Sequence, residues 1–196
     1  MALLGKQAII NKATIAQLLL LLFLCFTSVL QAQEHNSKFT FGIKAGFNRS
    51  ITTGKELDGE RTGYIGTEVY GSVFGQYAIS NSISGQIEAL FSWTDNVNYI
   101  EIPVYLMVDI YKRWSVKSGA KFDYIPDSEL SLTTGGVAIV SRTGFSIPMG
   151  VEFSISKKWL AEVVYNIGLT QQANDLVLEI FKATRNTLRV GLGYRF

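Results

Sequence analysis

From Leu188 to the final residue the chain alternates with a period of two: Leu188, Val190, Leu192, Tyr194 and Phe196 share one parity, and Arg189, Gly191, Gly193 and Arg195 the other. Successive side chains of an extended strand point to opposite faces, so this segment has one apolar and one polar face. Seven earlier segments do the same. Their apolar positions run over Phe39 to Phe47, Thr67 to Tyr77, Ile83 to Trp93, Ile100 to Ile110, Trp114 to Tyr124, Phe145 to Ile155 and Trp159 to Leu169, every second residue in each. None of those positions is charged, whereas the opposite parity holds every charge within the strands. Segregation of this kind over eight segments implies an all-β fold, an eight-stranded antiparallel up-and-down barrel.

The connections alternate in length. Three are short: Ile79-Ser80-Asn81-Ser82-Ile83, Ile110-Tyr111-Lys112-Arg113-Trp114 and Ile155-Ser156-Lys157-Lys158-Trp159. Each sets a polar three-residue turn between two apolar residues, as a tight hairpin does. The intervening connections, 49–63, 94–98, 125–142 and 171–184, are mostly longer. Short turns at one end and long loops at the other match the pattern of periplasmic turns and extracellular loops in outer-membrane barrels, with both termini on the periplasmic side. Pro103 and Pro148 each lie 11 residues before a tryptophan. A closed barrel has no edge strand to absorb a missing N–H, so a bulge or altered pairing is expected at each.

Alternation alone leaves open which face meets lipid, because a soluble lipocalin-like barrel alternates too. The polar face decides. It carries small residues such as Gly42, Gly46, Ser72, Ser84, Gly150, Gly191 and Gly193, which suit the crowded interior of an eight-stranded barrel. On the same face lie Lys44, Glu68, Glu88, Glu101, Asp109, Lys117, Lys121, Asp123, Glu152, Glu162, Arg189 and Arg195. Mixed signs at this density imply a mutually neutralising network inside, with the apolar face in lipid. Trp114 and Trp159 beside the short turns, and Trp93 and Tyr124 near the far ends, fit two aromatic girdles.

An export signal is expected ahead of the strands. Lys6 and Lys12 form a positive start, Leu18 to Phe26 is an apolar run too short to span a bilayer, and Leu30-Gln31-Ala32 approximates a cleavage site. The expected organisation is a cleaved signal peptide over 1–32 and an outer-membrane β-barrel domain over 33–196. Cleavage removes Cys25, two lysines and no acid, so the 18 bases fall to 16 and balance 16 acids. No basic excess points to nucleic acid, and no thiol remains for a disulfide, a nucleophile or a cysteine metal site.

Three stretches resemble the small outer-membrane β-barrel proteins of Bacteroidota, the porin-like or PorT-like barrel family: Phe41-Gly42-Ile43-Lys44-Ala45-Gly46-Phe47-Asn48, Tyr99-Ile100-Glu101-Ile102-Pro103-Val104, and Leu188 to Phe196. The resemblance covers essentially the whole mature chain. It implies an outer-membrane location, and the terminal phenylalanine looks like the signal by which barrel assembly machinery recognises its substrates. It carries over no functional motif.

The residue inventory offers little to catalysis. His35, the only histidine, precedes the first strand, so no serine–histidine–acid arrangement fits inside the barrel. Glu152 and Glu162 could approach one another for acid/base work, but neutralisation by Lys117 or Arg195 is the simpler account. Asp127 and Glu129 read as solvated loop acids, and Gly135-Gly136 as a turn. No catalytic, cofactor-binding or metal site, and no cofactor, is expected. The leading reading is a non-enzymatic barrel with a packed lumen. It would be structural, interact through loops 49–63, 125–142 and 171–184 with an envelope or extracellular protein, or serve envelope transport or secretion. The expected partners are outer-membrane lipid, the assembly machinery and such a protein, and not nucleic acid. Two alternatives stay open: a lipid- or lipopolysaccharide-modifying enzyme on a small barrel, and a soluble periplasmic carrier.

Overall fold

The computed structural model describes residues 38–55, 61–93, 98–126, 137–139, 141–175 and 180–196, and these contain strands and turns and no helix. The strands are β1 (Phe39–Lys55), β2 (Arg61–Ala78), β3 (Ile83–Trp93), β4 (Tyr99–Tyr111), β5 (Trp114–Tyr124), β6 (Val137–Ile139), β7 (Thr143–Ser154), β8 (Trp159–Gly168), β9 (Gln171–Asp175) and β10 (Ile180–Arg195). Neighbours run β1-β2-β3-β4-β5-β7-β8-β10, and β1 also pairs with β10, which closes an eight-stranded antiparallel barrel. Short β9 and β6 continue from β10 as an added panel. The residues expected to carry an export signal, 1–32, lie outside the described residues.

The two faces are as the parity requires. Along β4 the side chains of 101, 103, 105 and 107 are buried while those of 100, 102, 104 and 106 are exposed. Phe47 is 62% exposed and Lys44 is 3% exposed, an inversion of the soluble-protein rule that makes sense only when lipid bathes the outside. From Trp114 to Tyr124, β5 has 11 residues. At about 3.3 Å per residue and a tilt near 40°, the aromatic ends stand about 25 Å apart, the height of a barrel's apolar band.

The long connections are shorter than their polarity suggests. β1 and β2 remain paired as far as Lys55 and Arg61, so most of 49–63 is strand. Likewise β9 and β10 form a hairpin within 171–184, and β6 lies within 125–142. Beyond the bilayer a strand no longer needs an apolar face, so the alternation fades while the backbone ladder continues.

One short turn also differs. Tyr111 pairs with Trp114 after the register shifts between Asp109 and Tyr111, leaving a two-residue turn in which Lys112 has φ 40°. The bulge takes up the third residue. A left-handed first turn position matches the strand twist, as primed hairpin turns do. Of the other two turns, one is closed around three residues by Ile79 N–H donating to Ile83 O at 2.9 Å, and the other around Lys157 and Lys158 by Ser156 N–H donating to Trp159 O at 3.1 Å. In the latter, Ser156 Oγ accepts from Lys158 and Trp159 N–H.

Both prolines disturb the ladder without shifting it. Between β3 and β4 pairing lapses where Glu88 and Ala89 face Ile102 and Pro103, and resumes in the same register. Between β5 and β7 it lapses where Gly119 and Ala120 face Ile147 and Pro148. The opposite sides stay paired, Pro103 with Lys121 and Pro148 with Asn166.

Glycine permits the tight curvature at the lumen wall. A Cβ on Gly46 would lie 2.1 Å from Val190 O and 2.6 Å from Gly191 Cα, backbone atoms that cannot move aside. On the lipid face, a Cβ on Gly71 would meet nothing nearer than the Trp93 ring at 3.5 Å. Gly46→Ala is therefore expected to cost about 1–3 kcal/mol and Gly71→Ala far less. Urea unfolding in lipid vesicles measures both, and equal costs would contradict the close approach.

Candidate functional site: the barrel lumen

Strand parity delivers six cations and six carboxylates to the interior, and the backbone registers set them against one another. Glu152 and Glu162 are direct cross-strand partners on β7 and β8. Two like charges so placed repel, and cations converge on them. Lys117 Nζ lies 2.5 Å from Glu162 and 3.3 Å from Glu152. Lys44 Nζ donates to Glu162 at 2.8 Å and also to Glu88 and Gln86. Arg195 donates to Glu152 at 2.6 Å, and Tyr70 Oη to Glu162 at 3.1 Å.

A second group stands towards the long connections. Arg185 binds both oxygens of Glu68 at 2.6 and 2.7 Å, lies 3.5 Å from Glu101, and stacks 3.8 Å from the centre of the Tyr99 ring. Lys121 joins Glu101 at 2.7 Å and Asp123 at 3.0 Å. Arg189 links the two groups, 2.9 Å from Glu101 and 3.7 Å from Glu88, with Asn48 accepting from its Nε. Tyr70, Phe74 and Tyr105 supply ring faces to Arg189, Lys44 and Lys117 respectively. Each charge thus has opposite charges or ring faces in place of water, which is what desolvation demands.

The expected pairing of Glu152 and Glu162 with Lys117 and Arg195 is found, with Lys44 as a further partner. Both carboxylates are buried, at 2% exposure or less, beneath these cations. Asp109 is not part of the network: it is exposed at the short-turn end and accepts from Ser115 at 2.6 Å. Arg185, missed within the long connection 171–184 and its flank, is a lumen residue; it shares the parity of Arg189 four residues on, which is the signal that marks it. Apolar Tyr70, Phe74, Leu90, Tyr105, Met107, Leu160 and Val164 fill the remaining space between the charges. His35, Asp127, Glu129, Gly135 and Gly136 lie outside the described residues. Among the described residues no group of three His, Cys, Asp or Glu side chains is placed to hold a metal ion.

Comparison with known proteins bears on this barrel at the family level. Residues 18–196 match the outer membrane protein beta-barrel domain. No curated protein matches the chain. Among solved structures, the chain is similar to Ail, the attachment invasion locus protein of Yersinia pestis, at 15% identity and TM-score 0.48, covering 81% of this chain and 99% of that one. It is similar to Neisserial surface protein A at 10% identity and TM-score 0.48, covering 80% and 97%. OprG of Pseudomonas aeruginosa follows at 12% identity and TM-score 0.43, covering 81% and 96%.

Proposed function

The chain belongs to the outer-membrane β-barrel domain family, and from that premise we propose a non-enzymatic barrel with a closed lumen whose long-connection end meets an envelope or extracellular protein. Its role is structural, one of interaction through its loops, or accessory to envelope transport or secretion. The observation that carries this reading is the filled interior: Arg189 and Glu101 are 0% exposed, and Tyr70, Tyr105 and Met107 at most 2%. A barrel so packed has no path for a hydrated solute, which leaves its surfaces to do the work.

Those surfaces are unequal. β1, β2 and β10 have 17, 18 and 16 residues against 11 in β3 and β5, so their shared panel, extended by β9 and β6, stands beyond the opposite wall at the long-connection end. We place that end outside the cell and the short turns in the periplasm. We also assign 1–32 as the export signal, the assembly machinery as the partner that inserts the chain, and the small Bacteroidota barrels as a group to which it belongs.

One experiment with two arms tests this. Purified barrel in a planar bilayer is expected to show no porin-like conductance. An epitope near Gly135 should be reached by antibody on intact cells, and one in the Ser156–Lys158 turn only after the outer membrane is opened. A large steady conductance would reject the closed lumen, and reversed labelling the orientation.

A further inference from the structure

A groove of about 470 Å³ crosses the outer wall over β5, β7, β8, β10 and β1, within the range of small-molecule pockets. Its cause is local. In one cross-strand row Trp114, Phe153, Ala161, Leu192 and Ala45 face lipid, and the two alanines leave a floor between bulkier neighbours. Phe47, Val163 and Val190 in the next row form its upper lip. Trp159 and Tyr194, paired with each other, stand one row nearer the short turns, just outside the groove's lining, as its lower lip.

Charge collects directly under that lower lip. Lys158 Nζ sits 5.6 Å from the centre of the Tyr194 ring, and Lys157 is its neighbour in the turn. The adjacent turn brings Lys112 and Arg113, tied across by Ser154 N–H donating to Arg113 O and by Arg113 Nη1 donating to Ile155 O at 3.1 Å. All four basic residues are exposed, and none makes an ion pair among the described residues. Arg195, beside them, already holds Glu152. The third short turn, Ser80-Asn81-Ser82, is uncharged and has exposed Lys38 beside it, its backbone carbonyl accepting from Ala78 N–H, so four of the five exposed basic residues described at this end cluster beneath the groove.

The geometry points to a site for one anionic phospholipid, its phosphate held by Lys157 and Lys158 with Arg113 nearby, and an acyl chain lying in the groove over Ala45 and Ala161. An apolar trough alone would accept any lipid. A basic sector at its mouth, at the height of the interfacial aromatic rings, selects the anionic headgroup. The inference rests on the barrel standing in lipid, as its family and its apolar outer face require.

Tryptophan quenching tests it, because Trp114 lines the groove and Trp159 its lower lip. With Trp93→Phe as background, the folded barrel is placed in phosphatidylcholine vesicles containing a minor fraction of chain-brominated phosphatidylglycerol or chain-brominated phosphatidylcholine. The phosphatidylglycerol should bind about fivefold or more in preference, as each basic residue near the surface attracts anionic headgroups. Lys157→Gln with Lys158→Gln should bring the ratio close to one, and Ala161→Phe should reduce quenching by both lipids. Equal quenching by the two lipids in the parent, or a preference that survives loss of both lysines, would overturn the site. Gel mobility before and after boiling reports folding in each arm. A parent chain that never enters vesicles would instead reject the membrane reading, and the site with it.

Discussion

Glu162→Leu is expected to cost about 3–5 kcal/mol of folding stability, the scale for breaking a buried charge network from one side. Glu162 accepts from Lys44 at 2.8 Å, Lys117 at 2.5 Å and Tyr70 at 3.1 Å, and all three partners are buried. Without it, two ammonium groups are left with Glu88 and with Glu152, whose other oxygen is taken by Arg195. The uncompensated charge has no water to turn to. Removing a cation as well should relieve it, so Glu162→Leu with Lys117→Met is expected to cost less than the two single variants summed. Urea titration of the barrel in vesicles gives all three free energies. If the single losses are each under about 1 kcal/mol and simply add, the lumen is solvated and the closed-barrel reading falls.

The same network shows why some of the molecule is legible in the amino-acid sequence and some is not. Inside the bilayer two solvents stand on the two sides of one strand, so every residue on β3, β4, β5 and β8 had to declare a side, and parity read those strands to within a residue or two. Above the bilayer that pressure ends. Residues 49–55 carry Arg49, Ser50, Thr52, Thr53 and Lys55 with little alternation, yet they extend β1 because β2 and β10 offer continuous ladder partners. The bulge at Ile110 was equally silent, since a one-residue slip at a rim exchanges faces only where both already meet water. Of the lumen, the charges were legible and their partners were not. Which of Lys44, Lys117, Arg189 and Arg195 meets which acid depends on reach across the barrel, set by strand order and tilt rather than by spacing along the chain. Tyr70, Phe74, Tyr105 and Met107 carry no such mark: an apolar side chain on the polar parity reads as an exception until the opposite wall shows the space it fills.

Val104→Arg, Val151→Arg and Val190→Arg are each expected to cost roughly 2–4 kcal/mol, the penalty for a guanidinium facing lipid near the midplane of a barrel. Their exposures are 49%, 38% and 50%, and on a soluble protein such positions would take arginine with almost no effect. The size of the penalty therefore reports the solvent and not the packing. Val151 and Val190 stand in one cross-strand row with Val163, all three facing outwards, so no lumen carboxylate can reach round to pair with an arginine there. The control lies on the other face of the same wall. Ser84→Ala removes the hydroxyl that accepts from Gln76 at 2.9 Å, and should cost on the order of 1 kcal/mol. Folding free energies in vesicles of fixed thickness decide between the two solvents. Should the arginine variants fold as well as Ser84→Ala, the apolar face is not in lipid and the barrel would have to be a water-bathed one. If the penalty instead holds, its decline for an arginine placed at Ile110 or Leu169, beside the two rims, would measure where the bilayer ends.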